Sequence, residues 1–290
     1  MPESAPLFKP DRHGLVWIRP ECRASVAAQI TDDAMHAQVA AWLAADRPLV
    51  VARQLVTDKD FAGVRKTFDG TTSHSTRLSK NNSQVAGYGR APVGAGHARE
   101  QKNNRGHGPL LQLMPFLMGN GITDTIAVGL ALPPAQGKHR IALAVAARDI
   151  ARYTPPLRLA DAIAHAPAAW QPALAELDAA AIHIDLELRV FGSLAWQALS
   201  GLNYLTPQSD VDLLWHPLSN TQLQQGIALL ARWEQSSGLR ADGEVLFGGS
   251  SAVSWREWST LKSGDDQRVL VKRASSAELV DARELLELLA

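Results

Sequence analysis

The stretch Leu186-Glu-Leu-Arg-Val-Phe191, followed by Gly192-Ser193 and Leu194-Ala-Trp-Gln-Ala-Leu199, decides how this chain is read. Residues 186–191 alternate apolar and polar and end wholly apolar, as a strand entering a core does. From Leu194 to about Leu202, Ala195, Leu199 and Leu202 recur at helical spacing. A strand, a Gly-Ser turn and a helix in that order aim the unpaired N–H groups of the helix start at one place. Those donors and the helix dipole favour an anion such as phosphate. Gly192 lets the backbone come close to a ligand, and Ser193 offers a cap and a hydroxyl.

The next stretch is Thr206-Pro-Gln-Ser-Asp210-Val-Asp212-Leu-Leu-Trp215. If Asp210 to Trp215 is a strand, Asp210 and Asp212 share one face. Two carboxylates side by side repel, a cost with no return in an ordinary strand. A divalent cation reverses that sign. Mg²⁺ takes hard oxygen ligands, commonly one or two carboxylates plus substrate phosphates. A second ion can then hold both sides of a phosphoryl displacement. Alone, a Gly-Ser is only a turn and an Asp-x-Asp only a solvated strand edge. In this order, flanked by apolar strands, they are far more specific.

Working outward, Asn220 to Gln235 reads as an amphipathic helix with Leu223, Ile227, Leu230 and Trp233 inward. Gln267 to Lys272 reads as a strand and Ser275 to Leu289 as a capped terminal helix. Upstream, Leu15 to Ile18 and Leu49 to Val51 read as strands, with a helix from Ala34 to Ala45 capped within Thr31-Asp-Asp33. Ile126 to Leu132 and Arg140 to Val145 form a strand pair around a Pro-Pro-Ala-Gln-Gly turn. Leu157 to Ala164, after Pro155-Pro156, and Ala168 to Ala180 read as helices.

The fold class expected is α+β, with mixed α/β character. An N-terminal α/β segment over 1–54 is followed by a flexible basic insertion over 55–121. Residues 122–180 complete the N-terminal module with linking helices, and 181–290 form a catalytic domain with a mixed sheet and flanking helices. The insertion is rich in Gly, Asn, Ser, Lys, Arg and His and shows no sustained period between Thr71 and Gly108. Its Gly87-Tyr-Gly89 and Gly94-Ala-Gly96 lack the strand and helix that a phosphate loop needs.

Composition narrows the class of function. Lys plus Arg and Asp plus Glu both number 29 among 290 residues, so the net charge is zero and no basic footprint for nucleic acid is expected. No apolar run approaches the roughly 20 residues that span a bilayer, so no membrane is expected. A single cysteine, Cys22, excludes an internal disulfide. With no signal peptide at the N-terminus, this fits a reducing cytoplasm.

Gly-Ser, a helix, then Asp-x-Asp on a strand resembles the polymerase-beta-like nucleotidyltransferase superfamily. Within it, Arg189 to Gln197, Gly201-Leu202, Tyr204-Leu205 and Ser209 to Leu213 resemble the malonate decarboxylase holo-acyl-carrier-protein synthase family, also called phosphoribosyl-dephospho-CoA transferases. Looser likeness reaches Asp242-Gly-Glu244, Ala252 to Glu257, Arg12 to Trp17 and Pro48 to Val51. The resemblance implies transfer of phosphoribosyl-dephospho-CoA from 2'-(5''-triphosphoribosyl)-3'-dephospho-CoA to a serine of the apo acyl-carrier subunit of malonate decarboxylase, with pyrophosphate leaving.

It also implies roles. Asp210 and Asp212 would hold Mg²⁺, and Gly192 and Ser193 the triphosphate. A third carboxylate is either Asp242 or Glu244, and the sequence leaves that open. The nucleophile is expected on the partner. Arg53, Arg140, Lys262 and Lys272 are candidates for phosphate contacts, although such residues are more often solvated surface charges. Trp255 and Trp258 are candidates for stacking on adenine, although aromatic residues three apart more often fill a core. His183 and His216 have no partner at metal-ligand spacing. The competing readings are a nucleotidyltransferase of another specificity and a non-catalytic binding protein of the same fold. The second would lack an acidic ligand, and here both aspartates are present.

Overall fold

The computed structural model describes residues 11–54, 125–261, 267–273 and 276–289, with only the backbone of 52–54. The expected insertion over 55–121 and Lys262 lie outside the described residues. The described chain is α+β and is built on two sheets.

The first sheet is antiparallel and holds β1 (Leu15–Ile18), β2 (Leu49–Gln54), β3 (Thr125–Ala131), β4 (Arg140–Ala146) and β5 (Ile150–Thr154) in the order β4-β3-β2-β1-β5. Strict alternation in β3 buries Ile126, Val128 and Leu130. These pack with the buried Met35, Val39, Trp42 and Leu43 of α2 (Asp33–Ala44), which follows the short α1 (Arg23–Ala27). Asp32 starts α2 by accepting a hydrogen bond from the Met35 N–H at 2.8 Å, a cap contributing about 1 kcal/mol.

The second sheet holds β6 (Leu157–Arg158), β7 (Arg189–Val190), β8 (Val211–Trp215), β9 (Ala241–Phe247), β10 (Ser251–Ser254), β11 (Arg268–Lys272) and β12 (Ala277–Asp281), ordered β12-β11-β10-β9-β8-β7-β6. Its helices are α3 (Leu159–Ala162), α4 (Gln171–Ile182), α5 (Gly192–Ser200), α6 (Asn220–Ser237), α7 (Trp255–Ser259) and α8 (Ala282–Leu286). Strands β8 and β9 run parallel, joined by α6. Ser219 caps α6 by accepting from the Gln222 N–H. Leu223, Leu230 and Trp233 point inward. Val211, Leu213 and Trp215 of β8 are buried in the same core as Val245, Phe247, Val253, Val269 and Val271. Each such side chain contributes about 1.5–3 kcal/mol through burial.

The residues between the two halves of the Gly-Ser and Asp-x-Asp pattern tie the sheets together. Trp196 of α5 meets Trp42 of α2 edge-on at 5.5 Å. The Tyr204 hydroxyl donates to the Ala131 carbonyl at 2.7 Å. The Gln197 side-chain carbonyl accepts from the Tyr204 and Leu205 N–H groups, shaping the loop that leads into β8.

Two helix expectations are corrected. Leu157 and Arg158 pair antiparallel with Val190 and Arg189, so the helix starts only at Leu159. Likewise Ala277–Asp281 pairs with all of β11, from Arg268↔Asp281 to Lys272↔Ala277, and the terminal helix is confined to Ala282–Leu286. In both places an available strand edge outweighs local helix propensity. Among the described residues, no helix is long and apolar enough to cross a membrane.

Candidate active site

The site is assembled where β7 ends, α5 begins and β8 and β9 lie side by side. Phe191, the residue before α5, donates its N–H to the Asp212 carbonyl at 3.1 Å. This brings the start of the helix against β8. Gly192 then has φ +61, and a Cβ there would stand 1.8 Å from Asp212 Oδ2. Only glycine combines that backbone with that approach. Ser193 donates its backbone N–H to the Asp212 carboxylate. Ser193 does not cap the helix, because Phe191 occupies the cap position and no side chain bonds there.

On the neighbouring strand, Asp242 is the register partner of Asp212. Parallel strands lie about 4.8 Å apart, so two carboxylates stand on one face of the sheet. The close fit of β9 has its own cause. Gly243 has φ +149, and a Cβ there would lie 2.0 Å from the Leu213 carbonyl oxygen. Its N–H donates to Asp242 Oδ1 at 2.8 Å.

Burial and then the Asp242 charge push the Asp212 carboxyl up to about 6. Asp210 adds to that push, while the Ser193 N–H and the Arg140 charge oppose it. Asp210 is also paired with Arg240 Nε at 3.3 Å. The arrangement is a repelling carboxylate pair beside a helix start whose donors favour anions, and Asp212 and Asp242 have the oxygen donors that would hold a divalent cation.

Glu244 has a different setting. It is 5% exposed and accepts from Arg12 Nη2 at 3.0 Å and from Lys272 Nζ at 3.2 Å, with His13 Nε2 at 3.3 Å. Burial pushes its carboxyl up, but the His13 hydrogen bond and the Arg12, His13 and Lys272 charges outweigh that and hold it at about 2. Its acceptor positions are therefore committed within the protein.

The other candidates divide. Arg140 is exposed on β4, and its charge is felt at Asp212. Lys272 is engaged by Glu244. Arg53 lies opposite Ala127 by its backbone, and its side chain is outside the described set, as is Lys262. Trp255 and Trp258 are core residues: Trp255 Nε1 donates to the Ala241 carbonyl, and Trp258 packs on Phe247 at 4.8 Å. His183 and His216 are exposed. Sequence reasoning missed Arg12 and His13 as site residues. The looser likeness over Arg12 to Trp17 was the one signal that touched them.

Among the described residues, no three His, Cys, Asp or Glu side chains form a ready-made ion-holding group. The donors present are hard oxygens on neighbouring strands, and they suit a metal whose shell substrate phosphates complete.

Comparison with known proteins places the chain. Residues 158–283 match the family model described as phosphoribosyl-dephospho-CoA transferase MdcG C-terminal domain. Residues 11–79 and 120–156 match the corresponding N-terminal domain. The unmatched 80–119 fall within the stretch read as an insertion. A phosphoribosyl-dephospho-CoA transferase of Xanthomonas campestris pv. campestris is 48% identical over 155 residues, covering 53% of this chain and 71% of that protein. One from Xanthomonas axonopodis pv. citri is 46% identical over 162 residues, 56% of this chain and 74% of its own. One from Bradyrhizobium diazoefficiens is 39% identical over 161 residues, 56% of this chain and 70% of its own. No solved structure matches the chain. The chain belongs to the phosphoribosyl-dephospho-CoA transferase family.

Proposed function

We propose that this chain moves phosphoribosyl-dephospho-CoA from 2'-(5''-triphosphoribosyl)-3'-dephospho-CoA onto a serine of the apo acyl-carrier subunit of malonate decarboxylase. The serine oxygen forms a bond to the innermost phosphorus of the triphosphate. The bond from that phosphorus to the bridging oxygen breaks, and diphosphate leaves. The observation that carries this reading is the in-register Asp212–Asp242 pair with the Ser193 N–H on Asp212.

The geometry supports a set of roles. With the Ser193 N–H taken by Asp212, Gly192 offers its backbone N–H and Ser193 its hydroxyl to the triphosphate at the start of α5. Asp212, with Asp242 and Asp210 near it, would hold Mg²⁺, which supplies charge neutralisation to the phosphates when bound. Asp242, not Glu244, is the third carboxylate, because Asp242 is exposed while Glu244 is committed to Arg12, His13 and Lys272. Exposure lets Asp242 meet an incoming hydroxyl and accept its proton as the serine oxygen bonds to phosphorus. Arg140, also exposed, adds positive charge for the leaving diphosphate. Catalysis of this kind is mainly positioning and charge stabilisation. The single cysteine supports action in a reducing compartment such as the cytoplasm.

The test is the intact mass of the apo carrier after incubation with the protein, Mg²⁺ and the triphosphoribosyl donor. A gain equal to phosphoribosyl-dephospho-CoA supports the proposal. An unchanged mass with competent carrier and donor overturns it.

A further inference from the structure

Arg12 and His13 precede β1 of the first sheet, yet their side chains end in the site built on the second. The His13 ring stacks on Phe191, with centroids 4.1 Å apart and planes 17° from parallel. Phe191 is the last residue before Gly192. On its other side, His13 Nε2 is 3.3 Å from Glu244 Oε2. Arg12 spans both: its Nε lies 3.1 Å from His13 Nε2, and its Nη2 donates to Glu244 Oε1 at 3.0 Å. Glu244 follows Asp242 by two residues and so shares its face of β9.

We infer that Arg12 and His13 are positioning residues that fix the start of α5 against the carboxylate strand β9. This rests on the proposed reading of Gly192, Ser193, Asp212 and Asp242 as the reacting site.

Three features support it. One cation would answer the charge of Glu244, but three basic side chains converge on it, and the surplus contacts fix position. His13 holds φ +62, a left-handed backbone that a non-glycine residue keeps only where its surroundings over-determine it. Its N–H is anchored on the Val51 carbonyl at 3.1 Å, and the Gly14 N–H on the Asp11 carbonyl at 3.0 Å. A rigid wedge of this kind sets how far Phe191, and with it the Gly192 and Ser193 donors, lies from Asp242. A misplacement of about 1 Å in such a site costs roughly 100-fold in rate.

The experiment is a double-mutant cycle on transfer kinetics with the triphosphoribosyl donor, Mg²⁺ and apo carrier. Its members are wild type, His13→Asn, Phe191→Leu and the pair. Asparagine tolerates the left-handed backbone and removes only the ring. Each single variant should lose about 10–100-fold in kcat, with the donor KM within about three-fold, because positioning acts on the transition state. The double variant should be no slower than His13→Asn, because both break the His13–Phe191 stack and only His13→Asn also removes the Nε2 contacts to Arg12 and Glu244. Unchanged kcat in His13→Asn, or losses that multiply, overturns the inference. If His13→Asn does not fold, Arg12→Lys is cycled against Glu244→Gln. Losses that do not multiply support the inference, and losses that multiply overturn it. Asp212→Asn runs alongside. Loss of transfer there beside a fully active His13→Asn removes this inference alone. Retained transfer in Asp212→Asn removes the site reading and this inference with it.

Discussion

Gly192 and Asp212 lie so close that a Cβ on residue 192 would stand 1.8 Å from Asp212 Oδ2. The approach puts the first donors of α5 beside a carboxylate. Gly192→Ala adds that Cβ at φ +61 and must displace the Asp212 carboxylate or the helix start. Transfer should fall by at least about 100-fold, while thermal denaturation still shows a cooperative fold.

Asp212 bears a folding cost when ionised. Burial, then the Asp242 charge, raises its folded-state value to about 6 from an ordinary 3.8. For an acid raised on folding, the cost is absent below about 3.8 and fully present above about 6. Metal-free Asp212→Asn should therefore be more stable than wild type at pH 8, by about 1–3 kcal/mol. The gain should shrink as pH falls through that window. Chemical denaturation at pH 8 and pH 4 in the presence of a chelator measures it.

Glu244 has the opposite sign. Its folded value is lowered to about 2 from 4.5. The stability it supplies is fully present above about 4.5 and is lost as pH falls towards 2. Glu244→Ala should cost about 3–5 kcal/mol at pH 7, because Arg12, His13 and Lys272 lose a buried partner. The gap to wild type should close in acid, as urea titrations across that range would record.

Gly243→Ala should destabilise the protein. A Cβ at 2.0 Å from the Leu213 carbonyl oxygen cannot be fitted without separating β9 from β8. A loss of at least about 2 kcal/mol is expected, together with lost transfer, because Asp212 and Asp242 part with their strands. Circular dichroism melts and the transfer assay read both effects.

Much of this was legible in the sequence because it is local. The strand, turn and helix around Gly192-Ser193 and the strand of Asp210 to Trp215 announce themselves by periodicity. So does α6, whereas its cap at Ser219 is read only from the structure. What escaped depends on partners distant in the chain. Leu157–Arg158 and Ala277–Asp281 are strands because β7 and β11 offer edges to pair with, which no local pattern reveals. Asp242 and Glu244 are two residues apart and look equivalent as sequence. They separate only when Arg12, 232 positions before Glu244, is seen to bind it. Trp255 and Trp258 kept two readings until their burial assigned them to the core.

The most direct test of the central claim is single-turnover diphosphate release from the triphosphoribosyl donor in the presence of apo carrier and Mg²⁺. Wild type is compared with Asp212→Asn and Asp242→Asn. The account predicts at least about 100-fold slower release in both variants, with folding retained. Release at the wild-type rate from either variant would contradict the assignment of the reacting site to this pair.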